Sequence, residues 1–265
     1  MTDYRIGCAG WIVRKEHADL FPAGDSHLAR YAECFRAVEI NSSFYRSHRK
    51  ATYARWAATV PSDFMFAVKV PREVTHKRRL VKASKLLFNF LSEVEGLENK
   101  LGVLLLQLPP SLEFDREIAI RFFEVLRSQF SGHVACEPRH KTWFTVDASR
   151  LLKIFQIGRV IADPIVVPLL DDDSGVSDTV YYRLHGSPRM YYTSYTDEYI
   201  DLLVKKLRGH ADVRTAWCIF DNTALGAATV NAFTVQKQLR AEEETTRDCL
   251  RRRSKDAICM DNLRL

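Results

Sequence analysis

Ionisable side chains of both signs stand where short apolar runs of this sequence end. The clearest case is the segment Val134–Trp143, in which an apolar run stops at Glu137 and Pro138 follows. Because proline cannot continue a central strand, the strand is predicted to end at Glu137. Arg139 and His140 come next, so a carboxylate, a guanidinium group and an imidazole meet at this strand end. Groups of these types bind anions or transfer protons.

Polar residues end the other apolar runs of the sequence as well. Within a strand, residues i and i+2 point to the same side, so each strand end offers two polar groups on one face. Arg183 is thereby predicted to share a face with His185, and Glu137 with Arg139. The candidate catalytic residues are Glu137, His140, His185 and Asp163, and the candidate substrate-binding residues are Glu39, Asn41, Tyr45, Lys69, Arg72, His76, Gln107, Arg139, Trp143, Arg183, Asp221 and Asn222.

Three cations among these residues, Lys69, Arg139 and Arg183, suit an anionic ligand. Fixed cations neutralise phosphate or carboxylate, and arginine does so with two parallel hydrogen bonds. A basic run from Arg72 to Lys85 leaves the same strand end as Lys69, which extends positive potential outward and raises nucleic acid as a partner. Aromatic residues near the strand ends could stack on bases or pack in the core.

The acid–base chemistry leaves several functions open. Glu137 or His140 is the best candidate for a general acid or base, with His185 as its counterpart. A divalent metal is an alternative, but no H-x-H or H-x-x-E spacing supports it, and no resident cofactor is predicted. Three functions are compatible with these residues. The first is hydrolysis of a phosphate-containing substrate, such as the phosphodiester of a nucleic acid or nucleotide. The second is small-molecule lyase, isomerase or hydrolase chemistry on a sugar or carboxylate, and the third is non-catalytic binding of nucleic acid or another anion.

Eight short apolar runs alternate with helix-like segments, and these elements must position the polar residues. Continuous apolar runs are typical of strands covered on both faces, as in parallel sheets. The predicted strands are Tyr4–Cys8, Ala37–Ile40, Phe64–Val70, Leu101–Leu106, His133–Glu137, Arg159–Ala162, Val180–Leu184 and Thr215–Phe220. The predicted helices are Ser26–Cys34, Ala51–Ala58, Val81–Leu97, Glu117–Phe130, Ala148–Phe155, Asp197–Leu207 and Leu225–Leu239.

This alternation predicts an α/β fold, a (β/α)8 TIM barrel, with an open doubly wound sheet as the alternative. A single barrel domain is predicted over 1–239, followed by a peripheral C-terminal tail over 240–265. The connection from Pro164 to Thr179 has no room for a good crossover helix, so the sixth βα unit is predicted to be irregular. The predicted helix N-caps are Asp25 or Ser26, Asp115, Asp147 and Thr196.

Composition limits the class of protein without deciding the function. A net charge of +6 and a pI near 9.0 favour anionic partners. The six cysteines show no C-x-x-C spacing and are predicted to be reduced thiols. No apolar stretch approaches the roughly 20 residues needed to span a bilayer, and no signal peptide is recognised. A cytoplasmic protein without a membrane partner is therefore predicted, of unknown oligomeric state.

Several blocks of the sequence together resemble a known family. These blocks are Gly7-Cys8-Ala9-Gly10-Trp11, Val38–Arg46, Lys69-Val70-Pro71-Arg72, Leu105–Pro110, Glu137–His140 with Trp143, Tyr182–Gly186 and Phe220-Asp221-Asn222. From about residue 5 to residue 235 they resemble the YecE-like family of unknown function. The resemblance implies a TIM barrel with these blocks lining one mouth, and it implies no particular reaction. This chain has Cys8-Ala9 where the family usually has Thr-Ser, Pro138 where an aromatic residue is usual, and Asp221 in place of Asn.

Overall fold

Strands and helices alternate along the computed structural model, which describes residues 2–167 and 178–241. The nine strands of this part are β1 (Asp3–Cys8), β2 (Ala37–Ile40), β3 (Met65–Lys69), β4 (Leu101–Gln107), β5 (His133–Glu137), β6 (Ile157–Arg159), β7 (Ile161–Asp163), β8 (Thr179–Leu184) and β9 (Thr215–Phe220). Its α-helices are α1 (His27–Cys34), α2 (Lys50–Thr59), α3 (Ser84–Val94), α4 (Arg116–Gln129), α5 (Val146–Ile154), α6 (Asp197–Gly209) and α7 (227–241).

The described strands form two sheets in which every pair is parallel. One sheet has the order β1-β9-β8-β7 and the other the order β2-β3-β4-β5-β6. Parallel pairing places the carboxyl ends of the strands at one side, where the predicted polar residues stand. We call this side the mouth.

The two sheets approach each other at both of their edges. Ala9, just after β1, forms a parallel bridge with Glu39 of β2, and the Gly10 N–H donates to the Glu39 carbonyl at 2.9 Å. At the other edge, β6 and β7 belong to different sheets although only Val160 separates them. The chain therefore has an α/β fold with two parallel sheets, and the regular ladders stop at these two points.

Six strands, β2 to β5, β8 and β9, bury apolar side chains on two faces, as continuous apolar runs predict. One face packs against the helices: α4, for example, contributes Phe122 and Leu126, four residues apart on its buried side. The other face forms a separate cluster of small and aromatic residues. That inner cluster consists of Ala37, Ala67, Val103, Leu105, Ala135, Val160, Tyr181, Trp217 and Ile219, with Ala9, Met65 and Ala162 packed against it.

Most predicted elements lie where the sequence placed them. Ser26, Asp115 and Thr196 cap their helices as predicted, each accepting a backbone N–H three residues on. Asp147 does not: the N-cap of α5 is Thr145, whose hydroxyl accepts from the Ala148 N–H at 3.4 Å. The sixth predicted strand, Arg159–Ala162, is divided into β6 and β7.

Some predictions concern residues outside the described ranges. The irregular connection after the sixth strand falls mostly on residues 168–177, and all but the first two residues of the predicted 240–265 tail also lie outside. Of the cysteines, Cys8, Cys34, Cys136 and Cys218 are free thiols. None of the helices in the described ranges is long and apolar enough to cross a membrane.

Candidate functional site

Arg183 of β8 lies at the centre of a buried group of charges at the mouth. Its guanidinium makes a two-pronged ion pair with Glu39 of β2, with Nη2 to Oε1 at 2.7 Å and Nε to Oε2 at 3.0 Å. The same guanidinium pairs with Glu137 at 3.1 Å and with Asp221 at 2.9 Å. Arg183 and Glu39 are completely buried, and the three carboxylates hold the pKa of Arg183 well above its usual value despite burial. We call Glu39, Glu137, Arg183, His185 and Asp221 the buried cluster.

His185 bridges two carboxylates of the buried cluster. Its Nε2 lies 2.8 Å from Glu137 Oε1 and its Nδ1 lies 3.0 Å from Asp221 Oδ2. An ionised carboxylate only accepts hydrogen bonds, so this geometry favours a ring that donates from both nitrogens, which is the imidazolium form. Burial opposes the charged form, but the bonds to Asp221 and Glu137 outweigh it and raise the pKa of His185. With both nitrogens engaged, this ring holds the carboxylates in place.

The carboxylates beside this imidazolium are ionised. Burial alone would raise the pKa of Glu137, but Arg183, His185 and Arg139 lower it well below its usual range. The pKa of Asp221 is also lowered, because Arg183 and His185 outweigh its burial. Each of the three carboxylates in the buried cluster pairs with a positive group.

Lys69 of β3 is the exception among the charges at the mouth. Only 4% of the residue is exposed, and within the described part of the chain its ammonium forms no ion pair and donates no hydrogen bond. The ammonium lies 4.1 Å from the ring centroid of Phe44, a cation–π contact. Burial, and then repulsion by Arg183, lower the pKa of Lys69 to about 8. This side chain therefore gains and loses a proton near pH 8, well below the usual range for lysine.

Two further predicted residues, Arg139 and Gln107, contact the buried cluster, and a third, Asn41, follows β2. Arg139 has a 12% exposed side chain and donates to Glu137 at 3.1 Å, and its other terminal nitrogen lies 3.8 Å from the sulfur of Met190. Gln107 donates to the second Glu137 oxygen at 3.1 Å. The buried Oδ1 of Asn41 finds no hydrogen-bond partner among the described residues.

Two tyrosines at the site were absent from the predicted set. Tyr181 of β8 belongs to the inner cluster, and its hydroxyl donates to Glu39 Oε2 at 2.9 Å. Its position two residues before Arg183 signals the same face, so the alternation rule could have found it. Tyr191 packs edge-on against His185 with ring centroids 5.7 Å apart, and its backbone N–H donates to the His185 carbonyl at 2.5 Å. Its loop position carries no periodicity that would have signalled this.

Comparisons with known proteins identify the family to which this chain belongs. A family model described as "Protein of unknown function DUF72" matches residues 5–256. The chain belongs to the DUF72 family. It is 29% identical over 141 residues to the UPF0759 protein YecE of Escherichia coli strain K12, covering 52% of this chain and 49% of YecE. It is 27% identical over 151 residues to the UPF0759 protein YunF of Bacillus subtilis strain 168, covering 53% and 52%.

Two solved DUF72 structures share the fold of this chain. TM1631 from Thermotoga maritima MSB8 has a TM-score of 0.76 at 24% identity, covering 90% of this chain and 99% of that one. EF0366 from Enterococcus faecalis V583 has a TM-score of 0.76 at 22% identity, covering 89% and 95%. The curated relatives are matched over about half of their length, whereas the solved structures are matched over nearly all of theirs.

Asp163 of this DUF72 chain lies apart from the buried cluster, contrary to the prediction that groups it with Glu137. In its strand, Val160 and Ala162 face the inner cluster, so the alternation turns Asp163 to the opposite side. Its Oδ2 accepts a hydrogen bond from the Tyr195 hydroxyl at 2.7 Å. The alternation of the strand thus turns this carboxylate away from the buried cluster.

Three other predicted site residues have structural contacts instead of facing the cluster. His140 caps a 3₁₀ turn, accepting the backbone N–H two residues on at 3.3 Å. Trp143 is 1% exposed and donates from its indole to the Leu112 carbonyl at 3.0 Å, so it packs in the core and does not close over a ligand. Asn222 donates to the Thr193 carbonyl at 2.9 Å and ties two loops together.

The remaining predicted residues surround Phe44 next to the mouth. Tyr45 and Arg72 are exposed and line a cleft between α3 and the loops after β2 and β3. His76 packs edge-on against Phe44 with ring centroids 4.9 Å apart. Burial, then the charges of Lys69 and Arg72, lower the pKa of His76.

The carboxylates at the mouth already have positively charged partners. Within residues 2–167 and 178–241, no three His, Cys, Asp or Glu side chains are arranged to hold a metal ion. The carboxylates are instead occupied by arginine and imidazolium groups, which would compete with a cation for the same oxygens. Of the other cations at the mouth, Arg139 pairs with Glu137, and Lys69 has no ion-pair partner in these ranges.

Proposed function

We propose that this DUF72 chain is an enzyme that binds the anionic group of a phosphate-containing substrate at Lys69 and Arg139. The observation that carries the proposal is the buried, unpaired ammonium of Lys69 beside carboxylates that all have other partners. Burying an uncompensated charge is costly, and a bound anion would relieve that cost. An arginine and a lysine together are a usual pair for phosphate.

The charge balance at the mouth supports an anionic ligand. Three carboxylates stand against four positive groups when His185 is an imidazolium, which leaves one positive charge in excess. The members of this count are Glu39, Glu137 and Asp221 on one side and Arg183, Arg139, Lys69 and His185 on the other.

Lys69 is also the residue best suited to move a proton. With a pKa of about 8, Lys69 can bind the anionic group as an ammonium and still give up a proton. In hydrolysis of a phosphate ester, the water oxygen forms a bond to phosphorus, the bond to the leaving oxygen breaks, the leaving oxygen takes a proton from the Lys69 ammonium, and a proton of the attacking water restores that ammonium. Glu137, with both oxygens already bonded, orients Arg139 and Arg183.

A small substrate is favoured over a nucleic acid. The basic run that suggested a polymer is partly neutralised, because Lys77 pairs with Glu73 at 2.8 Å and Arg78 lies 3.9 Å from the same carboxylate. Arg79 donates to the Ser111 carbonyl at 2.8 Å. These contacts are typical of an ordinary solvated surface and favour, as a second candidate, a small sugar or carboxylate substrate.

We also infer that the two sheets form one (β/α)8 barrel in which β6 and β7 together are the sixth strand. The bridge between Ala9 and Glu39 supports this at one edge, and the single residue Val160 between β6 and β7 supports it at the other. The inner cluster contains residues of both sheets, such as Ala135 and Trp217, which is the filling expected inside a barrel.

The proposed activity is tested by turnover of a panel of phosphomonoesters, phosphodiesters, sugar lactones and carboxylate esters. Lys69→Met is expected to lower phosphoester turnover by about 100-fold without loss of thermal stability. Lys85→Met, at an exposed position of α3, is the control and should be unchanged. Phosphoester turnover that is indifferent to Lys69→Met would contradict the proposal, and turnover of only the other esters would favour the second candidate.

A further inference from the structure

A cleft of about 550 Å³ lies next to the mouth, between α3 and the loops that follow β2 and β3. This size is within the roughly 300–1,000 Å³ of small-molecule sites. Phe44 borders both the cleft and Lys69. The cleft is lined by Phe44, Tyr45, Arg46, Ser47, Pro71, Arg72, Glu73, Val74, Lys77, Leu86, Asn89, Phe90 and Glu93.

The floor of the cleft is apolar and its rim carries uncompensated positive charge. Val74 and Phe90 are buried and form part of the floor. Lys77 at the rim is neutralised by Glu73 at 2.8 Å. The guanidinium groups of Arg46 and Arg72, by contrast, make no ion pair or hydrogen bond with any residue in the described ranges. Two free arginines over an apolar floor suit a ligand with a flat apolar body and a phosphate.

Three further lining residues match the other parts of such a ligand. Tyr45 is 68% exposed although it is a large aromatic residue, which leaves a face free for stacking on a base. Asn89 is exposed on the side of α3 that lines the cleft and offers both a donor and an acceptor. Glu93 accepts a hydrogen bond from Ser47 at 2.5 Å and has oxygen capacity left for a ribose hydroxyl.

We propose that this cleft binds a nucleoside phosphate, with the base against Tyr45 and the phosphate on Arg46 and Arg72. The proposal goes beyond the anion site at Lys69, because it adds a second site and does not depend on turnover. Tyr45 and Arg72, which were predicted from the sequence to bind substrate at the mouth, would bind this nucleotide in the cleft. Both parts of the ligand are required, since the arginines recognise only the phosphate and the aromatic wall only the base.

Calorimetric titration of the full chain with the four ribonucleoside monophosphates tests this site. At least one of them is expected to bind about tenfold or more tightly than ribose 5-phosphate, inorganic phosphate or the free nucleosides. The double substitution Arg46→Ala with Arg72→Ala should weaken that binding by about tenfold or more. Arg55→Ala with Arg150→Ala removes the same charge from exposed positions away from the cleft and should leave binding unchanged.

Lys69→Met separates this site from the anion site at the mouth. Nucleotide binding that persists in Lys69→Met supports the cleft, whether or not the proposed phosphoester turnover exists. Loss of nucleotide binding in Lys69→Met but not in the double arginine variant would assign the nucleotide to the mouth and overturn the proposal. Equal affinity for nucleotides and ribose 5-phosphate, or no binding of any nucleotide at millimolar concentration, would overturn it as well.

Discussion

At the scale of single residues, the Glu39–Arg183 pair determines whether the buried cluster can exist. Both side chains are completely buried and joined by two hydrogen bonds, at 2.7 and 3.0 Å. A guanidinium cannot lose its proton to escape burial, so it needs its carboxylates in place. The cluster is therefore a condition for folding as well as a feature of the site.

Glu39→Gln tests this dependence. Removal of one partner from a buried ion pair is expected to lower the free energy of unfolding by about 3–5 kcal/mol. Glu117→Gln is the matched control, because Glu117 pairs with Arg121 at 3.4 Å on the exposed side of α4. Its cost should stay below about 0.5 kcal/mol. Urea unfolding of the two variants measures the difference, and equal costs would contradict the structural role of Glu39.

The alternation rule explains which site residues could be predicted from sequence. Glu39, Glu137, Arg139, Arg183 and His185 meet because strands present every second residue to one face. The rule fails beyond the strand ends, where turn geometry decides. His140, Trp143 and Asn222 lie in such turns, and their contacts with backbone carbonyls and N–H groups have no periodic signal.

At the scale of elements, the approach of β1 to β2 depends on a glycine. A Cβ placed on Gly7 would lie 2.1 Å from the carbonyl oxygen of Ala37 and 2.9 Å from the hydroxyl of Tyr31. That hydroxyl is itself fixed, because it donates to the Ala37 carbonyl and accepts from the Cys8 N–H, both at 2.9 Å. The edges of the two sheets can meet here only without a side chain at this position.

Gly7→Ala is expected to destabilise the protein by about 1–3 kcal/mol or more, because backbone atoms must shift to make room. Gly209→Ala is the control: no atom lies within 4 Å of its added Cβ, at the end of α6. That change should be neutral or stabilising by up to about 1 kcal/mol. Thermal unfolding of both variants decides, and an unperturbed Gly7→Ala would mean that β1 and β2 are not held this closely.

Helix boundaries show what local sequence leaves undetermined. Apolar spacing predicts a helix from Val81, whereas α3 begins at Ser84. The difference arises because Arg79, Leu80 and Lys82 adopt positive φ angles of 50°, 70° and 51°, which interrupt any helix. Leu80 is buried in the core, so tertiary packing outweighs the local preference of these residues.

At the scale of the whole molecule, the mouth combines the ion-paired buried cluster with the ammonium of Lys69, which has no ion-pair partner in the described ranges. Asp221 stands where the resemblance led us to expect asparagine, and it gives both Arg183 and His185 a further carboxylate. The charges of the buried cluster therefore largely neutralise one another. Within the described ranges, Lys69 alone keeps a buried positive charge without an ion-pair partner, and the proposed anionic ligand would neutralise it.

The most direct measurement of this claim is the affinity for sulfate, whose charge is constant near neutral pH, as a function of pH. Protonated Lys69 binds the anion and its pKa is about 8, so affinity should be full below that pH and fall by about tenfold or more well above it. Lys69→Met should bind sulfate weakly at every pH, and Lys85→Met should behave as the unmodified chain. Sulfate affinity in Lys69→Met that equals the affinity of the unmodified chain, with the same pH profile, would contradict the account.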